Sequence, residues 1–225
     1  EKGISLGGAK KDRREFLWPI PKTDEERIQN IPEIMHGIYR KPYYITIKLD
    51  GTSASYILVK DEKGNLDFHV CSRNYSLKET KNSIFWKIAK KYAIESLLKD
   101  WFSKYGILLA LQGEIVGPGI QGNKLNLSDH EFYIFNIYNV ENKNRLSFED
   151  FYSMFEIIPK VPILEEGDSF PYTTILEMLQ LAEGKYKDHF PSAKPSQERE
   201  GIVVRTKDQS ISFKVVSNTF LCKNE

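Results

Sequence analysis

Between Tyr43 and Val59 the chain reads YYITIKLDGTSASYILV, and this alternation restricts the fold more than any other stretch. A side-chain period of two puts Ile45, Ile47 and Leu49 on one face and Tyr44, Thr46 and Lys48 on the other, in a stretch that otherwise reads as a buried strand. With the extended geometry carried on to Asp50, the carboxylate points the same way as the Lys48 ammonium. Asp50-Gly51 supplies turn chemistry before a second strand over 54–59, and DEKGN turns the chain again into a third over 66–72. The expectation is an antiparallel meander that opens on a hairpin. A lysine and an aspartate at its first bend are either a solvated strand edge or a site.

From a cap at Asn82 or Ser83, apolar residues Ile84, Ile88, Ala89 and Tyr92 recur at helical spacing and the pattern runs on to Gly106, predicting one long helix. Strand-like runs follow over 107–114, 132–138, 202–206 and 211–216, with helices near 148–156 and 174–182. The Pro-, Ser- and charge-rich FPSAKPSQERE is a loop that delivers Glu200 into a strand. Strands dominate and helices flank them, so the fold class is α+β.

Length suits one large domain or two small ones, with enough chain to bury a core. A formal net charge of +1 gives no global attraction to nucleic acid or membrane, so any polyanion site must be local. Cys71 and Cys222 stand far apart and in no CxxC or Cys/His cluster, which argues against a disulfide framework and a zinc site and for a reducing compartment. No apolar run approaches the roughly 18 residues of a membrane span, and the N-terminus lacks a signal-peptide core. An intracellular protein, cytoplasmic or nuclear, is expected. The chain starts at Glu1 on a polar, Gly-rich, basic lead-in over 1–15, so a linker and a piece of a longer protein are expected.

Four further stretches follow KLDG in order: LQGEIVG around Glu114, FYIFNIY around Phe135, REGIVVRT around Glu200 and ISFKVVS around Lys214. Together the five resemble the motif series of the covalent nucleotidyltransferase superfamily, the polynucleotide ligases and RNA capping enzymes, over about three quarters of the chain. GEIVGPGIQGN and CSRN are most similar to the RNA ligase branch, of the type that carries its nucleotidyltransferase domain behind an N-terminal OB-fold. The resemblance implies an antiparallel-sheet, ATP-grasp-like adenylation domain over 1–225 with flanking helices, separated here from the OB-fold. It implies an ATP-dependent RNA ligase in which Lys48 takes AMP from ATP as a covalent adduct, AMP passes to an RNA 5′-phosphate, and a 3′-hydroxyl displaces it. The partners would be RNA ends in a nicked duplex, and the protein a monomer.

By the same resemblance Phe135 stacks on adenine, Val203 covers it from the other side, and Lys214 meets the α-phosphate. Ile47 and Gly51 belong to the nucleotide site beside Lys48. Arg73 and Asn74 of CSRN help to hold nucleotide or RNA, and Arg27, on a short upstream helix, stands near the nucleotide. Taken singly, Phe135 and Val203 are also ordinary core residues, Lys214 an edge lysine and Arg27 a helix-surface arginine. Ser212 departs from related ligases, which place a second lysine at that position.

The chemistry can be argued without the family. A lysine attacks phosphorus only as the neutral amine, and at its ordinary pKa roughly one in 2,500 is neutral at pH 7. Neighbouring carboxylates shift that balance the wrong way, because opposite charge favours the ammonium. Asp50, Glu114 and Glu200 therefore make sense as holders of a divalent cation, Mg²⁺ or Mn²⁺, gripped partly through its waters. Each acid taken alone is equally a solvated surface charge.

Gly117, Gly119 and Gly122 spell the dinucleotide fingerprint, but a strand follows where a helix should, and no GK[ST] marks a phosphate loop. Lys87, Lys90 and Lys91, with Lys78 and Lys81 before them, either track an RNA backbone or form a solvated helix face. Three other functions compete: a GTP-dependent capping guanylyltransferase, a DNA ligase, and a catalytically idle RNA-binding module.

Overall fold

The computed structural model describes residues 13–15 and 20–224, so the lead-in over 1–15 falls outside the described residues except at 13–15. The first half runs β1 (Arg13–Glu15), a 3-10 turn (Ile28–Asn30), α1 (Ile34–Ile38), β2 (Tyr43–Lys48), β3 (Thr52–Lys60), β4 (Leu66–Ser72), β5 (Tyr75–Leu77), α2 (Ile84–Lys91) and α3 (Ile94–Tyr105). The second runs β6 (Leu109–Val116), β7 (Glu131–Asn139), β8 (Asn144–Arg145), α4 (Phe148–Ser153), β9 (Ile163–Gly167), α5 (Ile175–Ala182), a second 3-10 turn (Tyr186–Asp188), β10 (Gly201–Thr206), β11 (Ser212–Val216) and α6 (Asn218–Asn224).

The strands form two antiparallel sheets, one ordered β1-β5-β4-β3-β6-β7-β8 and the other β11-β10-β2-β9. This corrects the expected hairpin, because β2 and β3 lie in different sheets and Asp50-Gly51 carries the chain from one to the other. Gly51 is needed for a close approach and not for a hairpin dihedral. A Cβ there would lie 2.3 Å from the Ile115 carbonyl oxygen and 2.9 Å from Glu114 Cγ. The second expected turn does form a hairpin: the Asp61 amide donates to the Asn65 carbonyl at 2.8 Å, and Gly64 takes φ +83°.

β2 is buried on both faces: Tyr44 and Thr46, opposite Ile45 and Ile47, are 2% and 5% exposed, because β2 lies inside its sheet and its second face is covered as well. The expected single helix is two. Ala93 takes the left-handed φ +49°, which ends α2 and lets α3 set off in a new direction. α2 then packs on β4, and α3 packs on β3 and β6, burying Ile84, Phe85 and Ile88 together with Ile94 and Leu98. α5 begins as a capping box in which Thr174 and Glu177 bond each other's backbone amides.

Three apolar clusters hold these parts. The largest lies under α2 and α3 around Tyr56, Phe85 and Phe132, and a second packs Met35 of α1 and Met178 of α5 on Ile45, Ile202 and Phe213. The third joins Ile47 and Leu49 to Val116, Tyr186 and Phe190, with Phe135 against it, and so couples the small sheet to the large one.

Gly51→Ala should lose on the order of 2 kcal/mol or more, since a backbone oxygen cannot yield to the new methyl. Gly37→Ala, where the added Cβ meets only Ile211 Cδ1 at 3.6 Å, should range from neutral to about 1 kcal/mol more stable. Urea denaturation of the two variants checks the contrast, and equal behaviour would contradict the tight crossing.

Candidate active site

A cavity of about 410 Å³ opens between the sheets, lined from one side by β2, β10 and β11 and from the other by β3, β6 and β7. Lys48, the last residue of β2, stands opposite Gly201 in the β2–β10 register, which brings Glu200 beside it. Lys48 Nζ donates to Glu200 Oε1 at 2.7 Å. Glu114 enters from β6, where it pairs with Ser53, and its Oε1 accepts the Gly51 amide at 3.2 Å. The close crossing at Gly51 is thus what fixes a Glu114 oxygen near Lys48.

Burial works against the charge of Lys48, but Glu200, Glu114 and Asp50 outweigh it and hold the ammonium above its ordinary pKa. Burial pushes the Glu114 carboxyl up to about 8, with Glu200 and Asp50 adding to the rise against the pull of Lys48 and the Gly51 amide. The protein alone therefore keeps its lysine protonated and crowds negative charge around it.

The three expected acids are not equivalent. Glu114 and Glu200 line the cavity, whereas Asp50 does not and pairs with Lys124 at 2.7 Å. Among the described residues no three His, Cys, Asp or Glu side chains gather as a direct metal-ligand set. Glu114 and Glu200 still fit a hard cation, because they are oxygen donors that face one cavity beside Lys48, with room there for the ion's waters.

Phe135, Val203, Ile47, Gly51, Lys214 and Arg73 all line the same cavity. Burial and the neighbouring cations Lys48 and Arg27 hold Lys214 below its ordinary pKa, against Asp24 and Glu200. Arg73 Nη2 donates to Asp24 at 2.5 Å, and Asn74 Oδ1 accepts from Lys22 at 3.2 Å away from the cavity lining. Arg27 is not helical. It is extended at φ −74°, ψ 136°, caps the 3-10 turn and bridges Lys214. Pairing with β11 accounts for the difference: the Lys214 amide donates to the Glu26 carbonyl at 2.8 Å, so the chain runs extended past Lys214 and turns only from Ile28.

Lys87, Lys90 and Lys91 sit on α2 and none lines the cavity. Lys90 is ion-paired with Glu79, and Lys91 with Asp129 at 2.9 Å, so these two serve local pairs.

Three functional-looking residues escaped the sequence reading. Glu25 lines the cavity and accepts from Arg205 at 2.6 Å and from the Ser212 hydroxyl. Burial would raise its carboxyl, but Arg205, Arg145 and Ser212 hold it below the usual range. Ser212 thus anchors an acid, and the cation opposite it in the ladder, Arg205, is engaged by that acid. The third residue, Tyr186, hydrogen-bonds to the backbone of both motif segments. Arg205 lies within a quoted motif, whereas Glu25 and Tyr186 had no sequence signal beyond their type.

Residues 41–216 match the family described as RNA ligase. The chain belongs to the RNA ligase family. Solved structures of Naegleria gruberi RNA ligase share its fold. A lysine-to-alanine mutant with ATP and Mn is 31% identical, with 97% of this chain and 62% of that chain covered at a TM-score of 0.82. A lysine-to-methionine mutant with AMP and Mn is 30% identical over 99% of this chain and 62% of that one, TM-score 0.82. The ligase with PPi gives 30%, 99%, 62% and 0.81. The chain thus spans about three fifths of the length of these proteins. No curated protein sequence matches. The α+β antiparallel-sheet expectation holds.

A carboxyl raised in the folded state binds a proton that the unfolded chain has released, so its contribution is present below the ordinary carboxylate pKa and lost as pH rises through about 8. Without divalent cation, wild type should lose stability relative to Glu114→Gln as pH goes from about 5 to 9. Denaturant midpoints in EDTA measure this, and a constant difference would contradict the site's electrostatics.

Proposed function

We propose that this chain is the adenylylating domain of an ATP-dependent RNA ligase. The observation that carries the reading is Lys48: its amine lies in a cavity with an apolar pair suited to a base, Phe135 and Val203, and with a second lysine, Lys214. Structures of the Naegleria ligase hold ATP, AMP, Mn or PPi, the substrates and products of nucleotidyl transfer. Mutants of that ligase were solved with changes at a lysine, at an aspartate two residues later, and at a glutamate and a lysine fourteen residues beyond it. Lys48 and Asp50, and Glu200 and Lys214, have those spacings.

In this reading the neutral Lys48 amine attacks the α-phosphorus of ATP, a P–N bond forms, and the bond to pyrophosphate breaks. Glu200, which already receives an N–H from Lys48, orients the amine; of the two protons lost between ammonium and phosphoramidate, one leaves to solvent before attack and the other departs with the pyrophosphate. Lys214 neutralises charge on the phosphate, and Phe135 and Val203 hold the adenine. A divalent cation held by Glu114 and Glu200 would supply the positive charge that favours neutral Lys48 and offsets charge on the phosphate. Asp50, paired with Lys124, would add its charge to that hold. AMP then moves to an RNA 5′-phosphate, giving a 5′–5′ pyrophosphate linkage, and a 3′-hydroxyl displaces AMP to seal a nicked duplex.

The same proposal takes residues 1–225 as an adenylation unit working beside an OB-fold, supported by the resemblance and by the share of the ligase's length that is covered. A monomer in a reducing, cytoplasmic or nuclear setting fits the free cysteines Cys71 and Cys222. Among the described residues no helix is long and apolar enough to cross a membrane.

Incubation with α-labelled ATP and Mn²⁺ should give a covalently labelled protein, and Lys48→Ala should lower the label by about a hundredfold or more. Undiminished label in Lys48→Ala would place the nucleophile elsewhere, and label from GTP in preference to ATP would favour a capping enzyme. Absence of adduct from either nucleotide would leave the idle RNA-binding module.

A further inference from the structure

Lys48 and Glu200 lie where the β2–β10 ladder runs out, since Gly201–Lys48 is its terminal pair. Beyond that pair the β2–β10 ladder offers no partner; the Glu200 carbonyl accepts the Ser217 amide at 2.8 Å, which leaves the Lys48 carbonyl and the Asp50 and Glu200 amides. One side chain takes them over. The Tyr186 hydroxyl donates to the Lys48 carbonyl at 2.9 Å and accepts the Asp50 amide at 3.0 Å and the Glu200 amide at 3.2 Å. Its single donor is used and it accepts twice, so the oxygen is saturated by backbone from the two segments that carry the lysine and the glutamate.

Nothing about this tyrosine is loose. It is 1% exposed, and its ring packs edge-on to Phe190 at 6.2 Å in the cluster that includes Ile47 and Leu49. Its own amide donates to the Gln197 carbonyl at 3.1 Å, and the Arg199 amide to the Gly184 carbonyl at 3.0 Å, which ties the 3-10 turn to the segment entering β10. Tyr186 does not line the cavity. It touches the backbone behind the reacting groups and not the space a nucleotide would fill.

We infer that Tyr186 is a positioning residue, a hydroxyl clamp that fixes the Lys48 amine against Glu200 in the geometry needed for attack on phosphorus. The inference rests on the proposed adenylylation at Lys48. In-line attack requires the nitrogen to be placed within a fraction of an ångström, and displacement by about 1 Å can cost on the order of a hundredfold in rate. Removing the hydroxyl leaves one carbonyl and two amides unpaired at the end of the ladder, so the segments can relax independently while the ring keeps its packing.

The test compares Tyr186→Phe with Tyr56→Phe. Tyr56 is fully buried too, and its hydroxyl donates to the Phe85 carbonyl at 2.8 Å beneath α2, remote from the cavity. Single-turnover formation of the lysyl adduct from ATP and Mn²⁺ should slow about tenfold or more in Tyr186→Phe, with the ATP concentration for half-maximal rate within about twofold of wild type. Tyr56→Phe should lose stability and keep its rate. Equal rates for wild type and Tyr186→Phe, or an equal fall in both variants, would overturn the inference.

Backbone hydrogen exchange on the wild-type protein supplies a readout that needs no variant to fold. The amides of Asp50 and Glu200, outside the strands, should be as protected as those within β2, and Tyr186→Phe should release these two selectively. Free exchange at both in the wild type would show that no clamp exists. A wild type that takes no AMP from ATP contradicts the ligase reading itself, which is distinct from a wild type that charges as fast as Tyr186→Phe.

Discussion

The ion pair between Lys48 and Glu200, at 2.7 Å, is the constraint around which the rest of the molecule is arranged. It joins a nucleophile-type residue to an acid 152 positions away, and it sets the chemical difficulty that the site must solve. The carboxylates that orient the lysine also stabilise its ammonium, so the arrangement that places the amine correctly keeps it unreactive until positive charge arrives. Glu114 shows the same strain from the other side: its carboxyl is driven toward the neutral form by burial and by the neighbouring acids. A cation would relieve both groups at once, drawing the proton from Glu114 and lowering the proton affinity of Lys48.

The two-sheet architecture exists on either side of this pair. Lys48 ends β2 and Glu200 immediately precedes the adjacent β10 of the small sheet, Glu114 and Phe135 come from the large one, and Gly51 lets the connecting chain press against β6 closely enough to bring them together. The site is therefore a seam between sheets, and its geometry depends on backbone contacts as much as on the acidic and basic side chains. Tyr186 belongs to that backbone layer, whereas the Glu25–Arg205–Ser212 group is held by side-chain bonds, with Glu25 and Arg205 in the cavity wall.

Much of the candidate chemistry was legible because reacting groups must be specific residue types, carried here in or beside strands with a readable pattern. Lys48, Glu114, Phe135, Glu200, Val203 and Lys214 line one cavity. What could not be read was which surfaces face each other. An apolar alternation looks the same for a strand buried on both faces as for one with an open face, and Asp-Gly looks the same at a hairpin as at a tight crossing between sheets. Apolar spacing runs unbroken through Tyr92 and Ile94, so the reversal at Ala93 carried no Gly or Pro to mark it. Tyr186 was invisible for a similar reason: its role lies in backbone groups that are brought to it only by the fold.

The central claim is that the protein holds Lys48 protonated until a cation and nucleotide enter. Titration of the Lys48 side chain by NMR, with selective isotope labelling, tests it directly, first in EDTA and then with Mg²⁺ and a non-hydrolysable ATP analogue. The account predicts a lysine above its ordinary pKa in EDTA that falls when Mg²⁺ and the analogue bind. A lysine already below its ordinary value without the cation, or one that does not move when Mg²⁺ and the analogue bind, would contradict it.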